Sequence, residues 1–124
     1  MEIKTGKVLI IDDDSRNIFA LTAVLKAKKY ICLSASSAQE GFDMIANDQD
    51  IAVVLMDMMM PDMDGYEAMG KMKEDPKLRD VPVIAVTAQA MIGDRERCLQ
   101  AGAASYISKP VNVDELVQQL NQYI

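Results

Sequence analysis

Short apolar runs alternate with amphipathic segments along the chain. Three runs are almost wholly apolar, as expected of strands buried on both faces of a parallel sheet: residues 8–11, 51–56 and 83–86. Two weaker strands are predicted at residues 30–34 and 105–107. Each predicted strand is followed by a segment in which apolar residues recur at helical spacing. The pattern therefore predicts five strands alternating with five helices.

Residues with capping chemistry mark the ends of the predicted helices. The predicted N-terminal caps are Asp14 or Ser15, Ser37 with Glu40, Asp64, and Asn112 with Glu115. The third helix is expected to reach Lys73 and to stop before Pro76. The fourth helix is expected over residues 88–101 and to end at Gly102, although Gly93 inside it weakens the pattern.

The alternation of strands and helices predicts a parallel sheet covered by helices on both faces. A chain of 124 residues is long enough to bury one hydrophobic core. No linker, repeat or low-complexity stretch interrupts the pattern. Residues 1–124 are therefore expected to form a single α/β domain.

The charge and the cysteines narrow the possible classes of function. The net charge is −6 and the 13 lysines and arginines are scattered, which disfavours direct binding of nucleic acid. The chain shows no secretory signal and no apolar run that would insert into a membrane. Cys32 and Cys98 form no CxxC pair, so a reduced, cytoplasmic protein is expected. Because the chain has no histidine, any reaction that needs an imidazole must take it from another molecule.

Polar residues follow the predicted strands and point to one site. Ligands of an open α/β sheet bind beyond the carboxyl ends of its strands. The polar residues expected at that edge are Asp12, Asp13 and Asp14 after the first strand, Asp57 after the third, Thr87 after the fourth and Lys109 after the fifth. Carboxylates gathered there would repel one another without a cation, and oxygen ligands at a shallow site favour Mg²⁺.

This set of groups suits phosphoryl transfer. Asp57 is the candidate nucleophile because it follows the most apolar strand, whereas Asp12 and Asp13 are better placed as metal ligands. The ammonium of Lys109 and the hydroxyl of Thr87 would hold the phosphoryl oxygens.

Taken singly, each of these residues has a simpler structural explanation. Asp14 can be a helix cap, and Asp62 and Asp64 are interpreted as turn and cap residues, so none of the three is assigned to the site. A lone threonine at a strand end or a lone Lys–Pro pair is usually structural. Only the convergence of the remaining residues at one edge of the sheet favours a functional site.

The order of these residues along the chain resembles that of a known family. The matching features are Asp12–Asp13 after VLII, Asp57 before MMMPDMDG, Thr87–Ala88, and Tyr106 three residues before Lys109–Pro110. As a set they resemble the receiver domain of two-component response regulators over essentially the whole chain. The resemblance implies a flavodoxin-like, doubly wound, five-stranded parallel sheet in the order 2-1-3-4-5, with five helices. It also implies a Lys109–Pro110 bond that is commonly cis.

The resemblance assigns roles at the site. Asp57 would accept a phosphoryl group from the histidine of a histidine kinase or histidine phosphotransfer protein. The implied Mg²⁺ ligands are Asp12, Asp13, Asp57 and the backbone carbonyl of Met59. Lys109 would contact the phosphoryl oxygens.

The resemblance also implies how phosphorylation changes the surface of the domain and which residues set the rate of dephosphorylation. Thr87 would move towards the phosphoryl group and Tyr106 would turn inwards, changing the face from the fourth to the fifth helix that a downstream protein recognises. Such a domain is a switch with autocatalytic phosphotransfer and autodephosphorylation, not an enzyme with a turnover substrate. Met59 and Gln89 are the residues expected to tune dephosphorylation, because a bulky apolar Met59 would impede an attacking water.

Several alternatives remain open from the sequence. The chain could be a free-standing regulator or the receiver of a hybrid histidine kinase, which the segments MDMMMPDMDGYEA and ISKPV resemble most. A flavodoxin-like domain that binds a nucleotide or flavin would need a phosphate-binding loop where the chain instead has Asp12–Asp13–Asp14. A phosphatase of the haloacid dehalogenase type is a weaker alternative, because those aspartates satisfy its DxD pattern only trivially.

Overall fold

A computed structural model describes residues 6–61, 63–88 and 93–124. Strands and helices alternate through the described part of the chain, as predicted. The strands are β1 (Lys7–Ile11), β2 (Ile31–Ala35), β3 (Ile51–Asp57), β4 (Val83–Thr87) and β5 (Ser105–Ser108). The helices are α1 (Ser15–Ala27), α2 (Ala38–Asn47), α3 (Gly65–Glu74), α4 (Asp94–Ala101) and α5 (Val113–Leu120).

The strands form one parallel sheet in the order β2-β1-β3-β4-β5. This order confirms the predicted doubly wound, flavodoxin-like topology. The chain runs outwards in one direction from β1 to β2 and in the other from β3 to β5. The direction of winding changes between β1 and β3, and the carboxyl ends of these two neighbouring strands are where the rule for open sheets places a ligand.

Two apolar clusters cover the two faces of the sheet, because successive side chains of a strand point to opposite faces. Leu9 and Ile11 of β1 belong to the cluster that packs against α2, α3 and α4. Val8 and Ile10 belong to the cluster that packs against α1 and α5. All four side chains are essentially fully buried. Burial on both faces explains why the central strands have no polar alternation in the sequence.

The predicted caps are found at four helices. Asp14, rather than Ser15, caps α1 by accepting a hydrogen bond from the backbone N–H of Arg16 at 2.9 Å. At the other three helices, the cap side chain accepts a hydrogen bond from the backbone N–H of the third residue after it. These caps are Ser37, Asp64 and Asn112, with bonds of 3.2, 2.9 and 2.9 Å. Asp14 thus acts as a helix cap, and its exclusion from the metal ligands stays a prediction.

The start of the fourth helix was predicted wrongly. Within the described residues α4 begins at Asp94, whereas Ala88 lies in a bend and residues 89–92 fall outside the described part. Gly93 precedes the helix with φ +90°, a left-handed conformation that interrupts a helix and that glycine adopts without strain. Gly102 ends α4 with φ +119°, as predicted.

Candidate functional site

Three carboxylates meet at the carboxyl edge of the sheet, beyond β1 and β3. Asp12 and Asp13 follow β1 directly, and Asp57 is the last residue of β3. One carboxylate oxygen from each lies within 4.8 Å of the others. We call these three residues the acidic edge. The sequence predicted their convergence from the rule that parallel strands end at the same side.

Asp57 lies within reach of donors from two segments of the chain. Its side chain accepts a hydrogen bond from the backbone N–H of Met59 at 3.1 Å, so the Met59 peptide lies against the acidic edge. The ammonium nitrogen of Lys109 is 3.8 Å from Oδ1 of Asp57 and 4.0 Å from Oδ2 of Asp12. Lys109 is the one cation found in an ion pair with these carboxylates in the described part of the chain. It is therefore shared between two acids without a short bond to either.

The acidic edge is buried enough for its charges to interact strongly. Asp12 is 3% exposed and Asp57 is 6% exposed, whereas Asp13 is exposed. Burial raises the pKa of Asp57 above its usual range, and the charge of Asp12 raises it further. The Met59 N–H and the Lys109 ammonium oppose this rise in the pKa. Three carboxylates and a single ion-paired ammonium therefore leave this edge with excess negative charge among the described residues.

Thr87 and Lys109 also lie at this edge. Thr87 ends β4 and is 2% exposed. The backbone N–H of Lys109 donates to the carbonyl of Thr87 at 2.8 Å, which joins the ends of β4 and β5. The Lys109–Pro110 peptide is cis, in agreement with the expectation from the resemblance. Residues 8–121 match the sequence model of the response regulator receiver domain.

The chain belongs to this family. It is 36% identical to the polar-differentiation response regulator DivK of Brucella ovis over 120 residues, which cover 97% of each chain. A putative response regulator from Chloroflexus aurantiacus has a similar structure, with a TM-score of 0.88, 28% identity and coverage of 97% of this chain and 98% of that one. The receiver domain of the sensor histidine kinase PA1611 from Pseudomonas aeruginosa, which has a magnesium ion coordinated in its active-site cleft, gives a TM-score of 0.82 at 31% identity, covering 95% and 97% of the two chains.

Family membership resolves the choice between the functional classes. It places this receiver domain in two-component signal transduction, where a histidine kinase is the phosphodonor and the receiver is not a true enzyme. The interpretations as a nucleotide-binding domain or a phosphatase are therefore not favoured. The relatives include both a response regulator and the receiver of a sensor kinase. No helix among the described residues is both long and apolar enough to span a membrane.

Tyr106 of this receiver domain makes a contact that the sequence did not predict. Its hydroxyl donates to Oδ2 of Asp94 at 3.2 Å, and the hydroxyl of Tyr66 donates to Oδ1 of the same carboxylate at 2.9 Å. The Tyr66 hydroxyl also lies 3.6 Å from Sγ of Cys98. We call Asp94, Tyr66, Tyr106 and Cys98 the Asp94 cluster. Burial, followed by the neighbouring Asp94, raises the pKa of Tyr106.

Asp94 was missed because its sequence context resembles an ordinary helix start. An acidic residue in the first turn, directly after a glycine, is what the helix dipole favours at an exposed end. Asp94 is instead 5% exposed. Its burial depends on tyrosines that are 28 residues before it and 12 residues after it, and no local pattern links the three.

The methionines after Asp57 divide into buried and exposed side chains. Met58 and Met60 are buried in the core on the α2–α4 side of the sheet, whereas Met59 is 54% exposed. Met63 is partly buried and packs against the same core, in agreement with a gap-filling role. Gln89, the other residue expected to tune dephosphorylation, lies outside the described residues, as does Asp62.

Proposed function

We propose that this receiver domain is a phosphorylation-activated switch whose acceptor is Asp57. The observation that carries the proposal is the position of Asp57 at the end of the central strand β3, beside two further carboxylates and 3.8 Å from the ammonium of Lys109. The donor is the phosphohistidine of a partner kinase or phosphotransfer protein. A downstream protein then recognises the surface from α4 to α5, which we call the switch face.

The residues of the acidic edge fit Mg²⁺. Three carboxylates supply hard oxygen donors within 4.8 Å of one another. Burial and the charge of Asp12 raise the pKa of Asp57, and a cation held here would oppose that rise. Asp12, Asp13 and Asp57 would hold the ion, with the carbonyl of Met59 as a further ligand. When bound, Mg²⁺ would neutralise charge on the phosphoryl oxygens.

In the proposed transfer a carboxylate oxygen of Asp57 attacks phosphorus. The bond from phosphorus to the donor imidazole nitrogen breaks as the bond to Asp57 forms. The electron pair returns to that nitrogen, and the imidazole, protonated on its other nitrogen, leaves as the neutral ring. The ammonium of Lys109 moves from the carboxylates to the incoming phosphoryl oxygens. It needs to move only a short way, because it already lies 3.8 Å from Oδ1 of Asp57. Thr87, at the end of the neighbouring strand β4, donates its hydroxyl to another of these oxygens.

The proposed output begins with Thr87 and Tyr106. When Thr87 moves towards the phosphoryl group, Tyr106 turns inwards and the switch face changes. The free thiols of Cys32 and Cys98 agree with action in the reducing cytoplasm. The single-domain organisation of residues 1–124, and the absence of nucleic-acid binding, remain predictions.

The test is intact mass after incubation with a small acyl phosphate, with and without Mg²⁺. The parent, Asp57→Asn and the exposed-surface control Asp80→Asn should be compared, since Asp80 lies away from the acidic edge. We expect one phosphoryl adduct on the parent and on Asp80→Asn, dependent on Mg²⁺, and none on Asp57→Asn. An adduct that survives in Asp57→Asn would move the acceptor elsewhere, with Asp12 or Asp13 the next candidates.

A further inference from the structure

One methionine of this chain differs from the others in its contact with solvent. Of the ten methionines in the sequence, Met1 and Met91 lie outside the described residues. Among the others, Met44 and Met63 are partly buried, Met59 is 54% exposed, and the rest are buried. A reagent dissolved in water therefore meets the side chain of Met59 before those of the other described methionines.

The two methionines that flank Met59 are packed into the core. Met58 and Met60 are both buried on the α2–α4 side of the sheet. Sδ of Met58 lies against Gly65 so closely that a Cβ atom added there would be only 2.2 Å away from it. Because a packed core has little room for an extra atom, an oxygen added to either side chain would disturb the packing. Met59 can accept an added oxygen in solvent.

The two thiols are weak competitors for an oxidant. Peroxide oxidises the thiolate and not the thiol, so a raised pKa protects a cysteine. Cys98 is fully buried, and burial raises the pKa of its thiol. Cys32 is partly buried, and burial raises the pKa of its thiol as well. Met59 is therefore the most accessible oxidisable sulfur residue in the described part of the chain.

Met59 also lies directly beside the proposed phosphoryl acceptor. Its backbone N–H donates to Oδ1 of Asp57 at 3.1 Å. Met59 also lines an open groove together with Pro61 and Arg97, from which water and a small oxidant can approach. A change in the polarity of this side chain therefore takes place next to the acidic edge.

We propose that Met59 is a site of oxidation by hydrogen peroxide, and that its sulfoxide shortens the lifetime of the aspartyl phosphate. The inference rests on the proposed function, because it concerns phosphorylated Asp57. The sulfur gives an electron pair to one peroxide oxygen, so the S–O bond forms as the O–O bond breaks. The proton on the transferred oxygen moves to the departing oxygen, which leaves as water. The thioether is thereby oxidised and the peroxide is reduced.

The effect on the lifetime follows from the change in hydrogen bonding. A thioether sulfur is a weak acceptor, whereas the sulfoxide is a polar group whose oxygen accepts hydrogen bonds from water. A water molecule held in this way beside Asp57 is placed to attack phosphorus, so hydrolysis becomes faster. Sulfoxide reductases return the side chain to the thioether, so the coupling of the switch to peroxide is reversible.

The test is limited peroxide treatment of the full chain, followed by catalase and by dithiothreitol, which reduces reversibly oxidised thiols. Peptide mass spectrometry locates the added oxygen. Intact mass then follows the lifetime of the adduct formed with a small acyl phosphate and Mg²⁺. Met59→Leu removes the sulfur and keeps an apolar side chain of similar volume, and Met63→Leu is the matched control from the same loop. Each protein is compared with its own untreated sample.

We expect the first added oxygen on Met59. Treatment should shorten the lifetime about threefold in the parent and in Met63→Leu, leave it unchanged in Met59→Leu, and be reversed by methionine sulfoxide reductases. The inference would be overturned by first oxidation at another residue, by an unchanged or longer lifetime in the oxidised parent, by equal shortening in Met59→Leu, or by a lifetime that the reductases do not restore. If the untreated parent gains no adduct that Asp57→Asn lacks, the proposed function fails before peroxide is added, and the inference fails with it.

Discussion

Among residues 6–61, 63–88 and 93–124, carboxylates are buried at two places, and these places are organised in opposite ways. At the acidic edge, Asp12 and Asp57 share the ammonium of Lys109, at 4.0 and 3.8 Å, and the exposed Asp13 adds a third carboxylate. At the Asp94 cluster, a single carboxylate receives two tyrosine hydroxyls at 2.9 and 3.2 Å. The first arrangement lacks positive charge and is suited to bind a cation and a phosphoryl group. The second is complete and is suited to hold its neighbours in place.

The comparison has a simple physical basis. Carboxylates within a few ångströms of one another repel strongly when they are buried, and an external cation relieves that repulsion. A carboxylate with two hydroxyl donors at a helix N-terminus has already replaced the water that it lost on burial. Binding of a cation should therefore reduce the electrostatic repulsion at the acidic edge. Movement of the chain should instead weaken the hydrogen bonds of the Asp94 cluster.

The largest effect is expected from removing the charge of Lys109, which is ion-paired with the acidic edge. Lys109→Met should slow phosphorylation by a small acyl phosphate about a hundredfold, because a fixed positive charge at the developing phosphoryl charge is lost. The rate is measured by intact mass at fixed Mg²⁺ concentration. Lys77→Met removes an exposed lysine beside Ile51, at the end of β3 opposite the acidic edge, and should leave the rate unchanged. A rate within twofold of the parent for Lys109→Met would show that its charge has no part in the reaction.

The next largest effect is a loss of stability at the Asp94 cluster. Asp94→Asn should lower the free energy of unfolding by about 2 kcal/mol, because two tyrosine hydroxyls lose a charged acceptor. Urea unfolding without divalent ions measures it. Asp80→Asn, at an exposed position, should change the free energy by less than about 0.5 kcal/mol. If Asp94→Asn were as stable as the parent, the two hydrogen bonds to the Asp94 carboxylate would not stabilise the fold as their distances indicate.

At the acidic edge, replacing an aspartate by asparagine should change the free energy of unfolding in the opposite direction. Asp57→Asn should raise the free energy of unfolding without divalent ions, because burial, which raises the pKa of this carboxyl, penalises its charged form. In saturating Mg²⁺ the order should reverse, since only the parent gains the binding energy of the ion. Urea unfolding in both conditions tests this. Loss of stability in Asp57→Asn without metal would contradict the view that this edge is short of positive charge.

The same contrast explains what could be predicted from the sequence. The acidic edge was predictable because each of its residues follows an apolar strand, and parallel strands place their ends at one edge. Three of the four caps at described helix starts were equally predictable, because each depends on a short local pattern. The strand order was expected only from the resemblance to the receiver family, since no local pattern specifies which strands are neighbours. Asp14 competed with Ser15 as the cap of α1, and only the hydrogen bond to Arg16 decided between them.

The parts that could not be predicted depend on distant contacts or on a backbone conformation. Asp94 is buried only because Tyr66 and Tyr106 converge on it from α3 and β5. The start of α4 was misplaced because Gly93 fits a helix and a left-handed turn equally well in the sequence. The exposure of Met59 between two buried methionines is likewise a property of the folded loop and not of the run MMM.

The smallest expected effect concerns the access of water to the acidic edge. Met59 donates its backbone N–H to Asp57, yet its side chain is 54% exposed, so the side chain lies at the open side of the edge. An apolar side chain there should hinder a water molecule that approaches phosphorus, whereas a polar amide could orient it. Met59→Asn should therefore shorten the lifetime of the aspartyl phosphate about threefold, since one positioned polar group contributes only a modest part of the barrier. The lifetime is followed by intact mass after the acyl phosphate is removed. The control is Ile31→Asn, since Ile31 is an exposed apolar residue at the start of β2, at the opposite edge of the sheet. Equal lifetimes in the parent and Met59→Asn would mean that water reaches the acidic edge from another side.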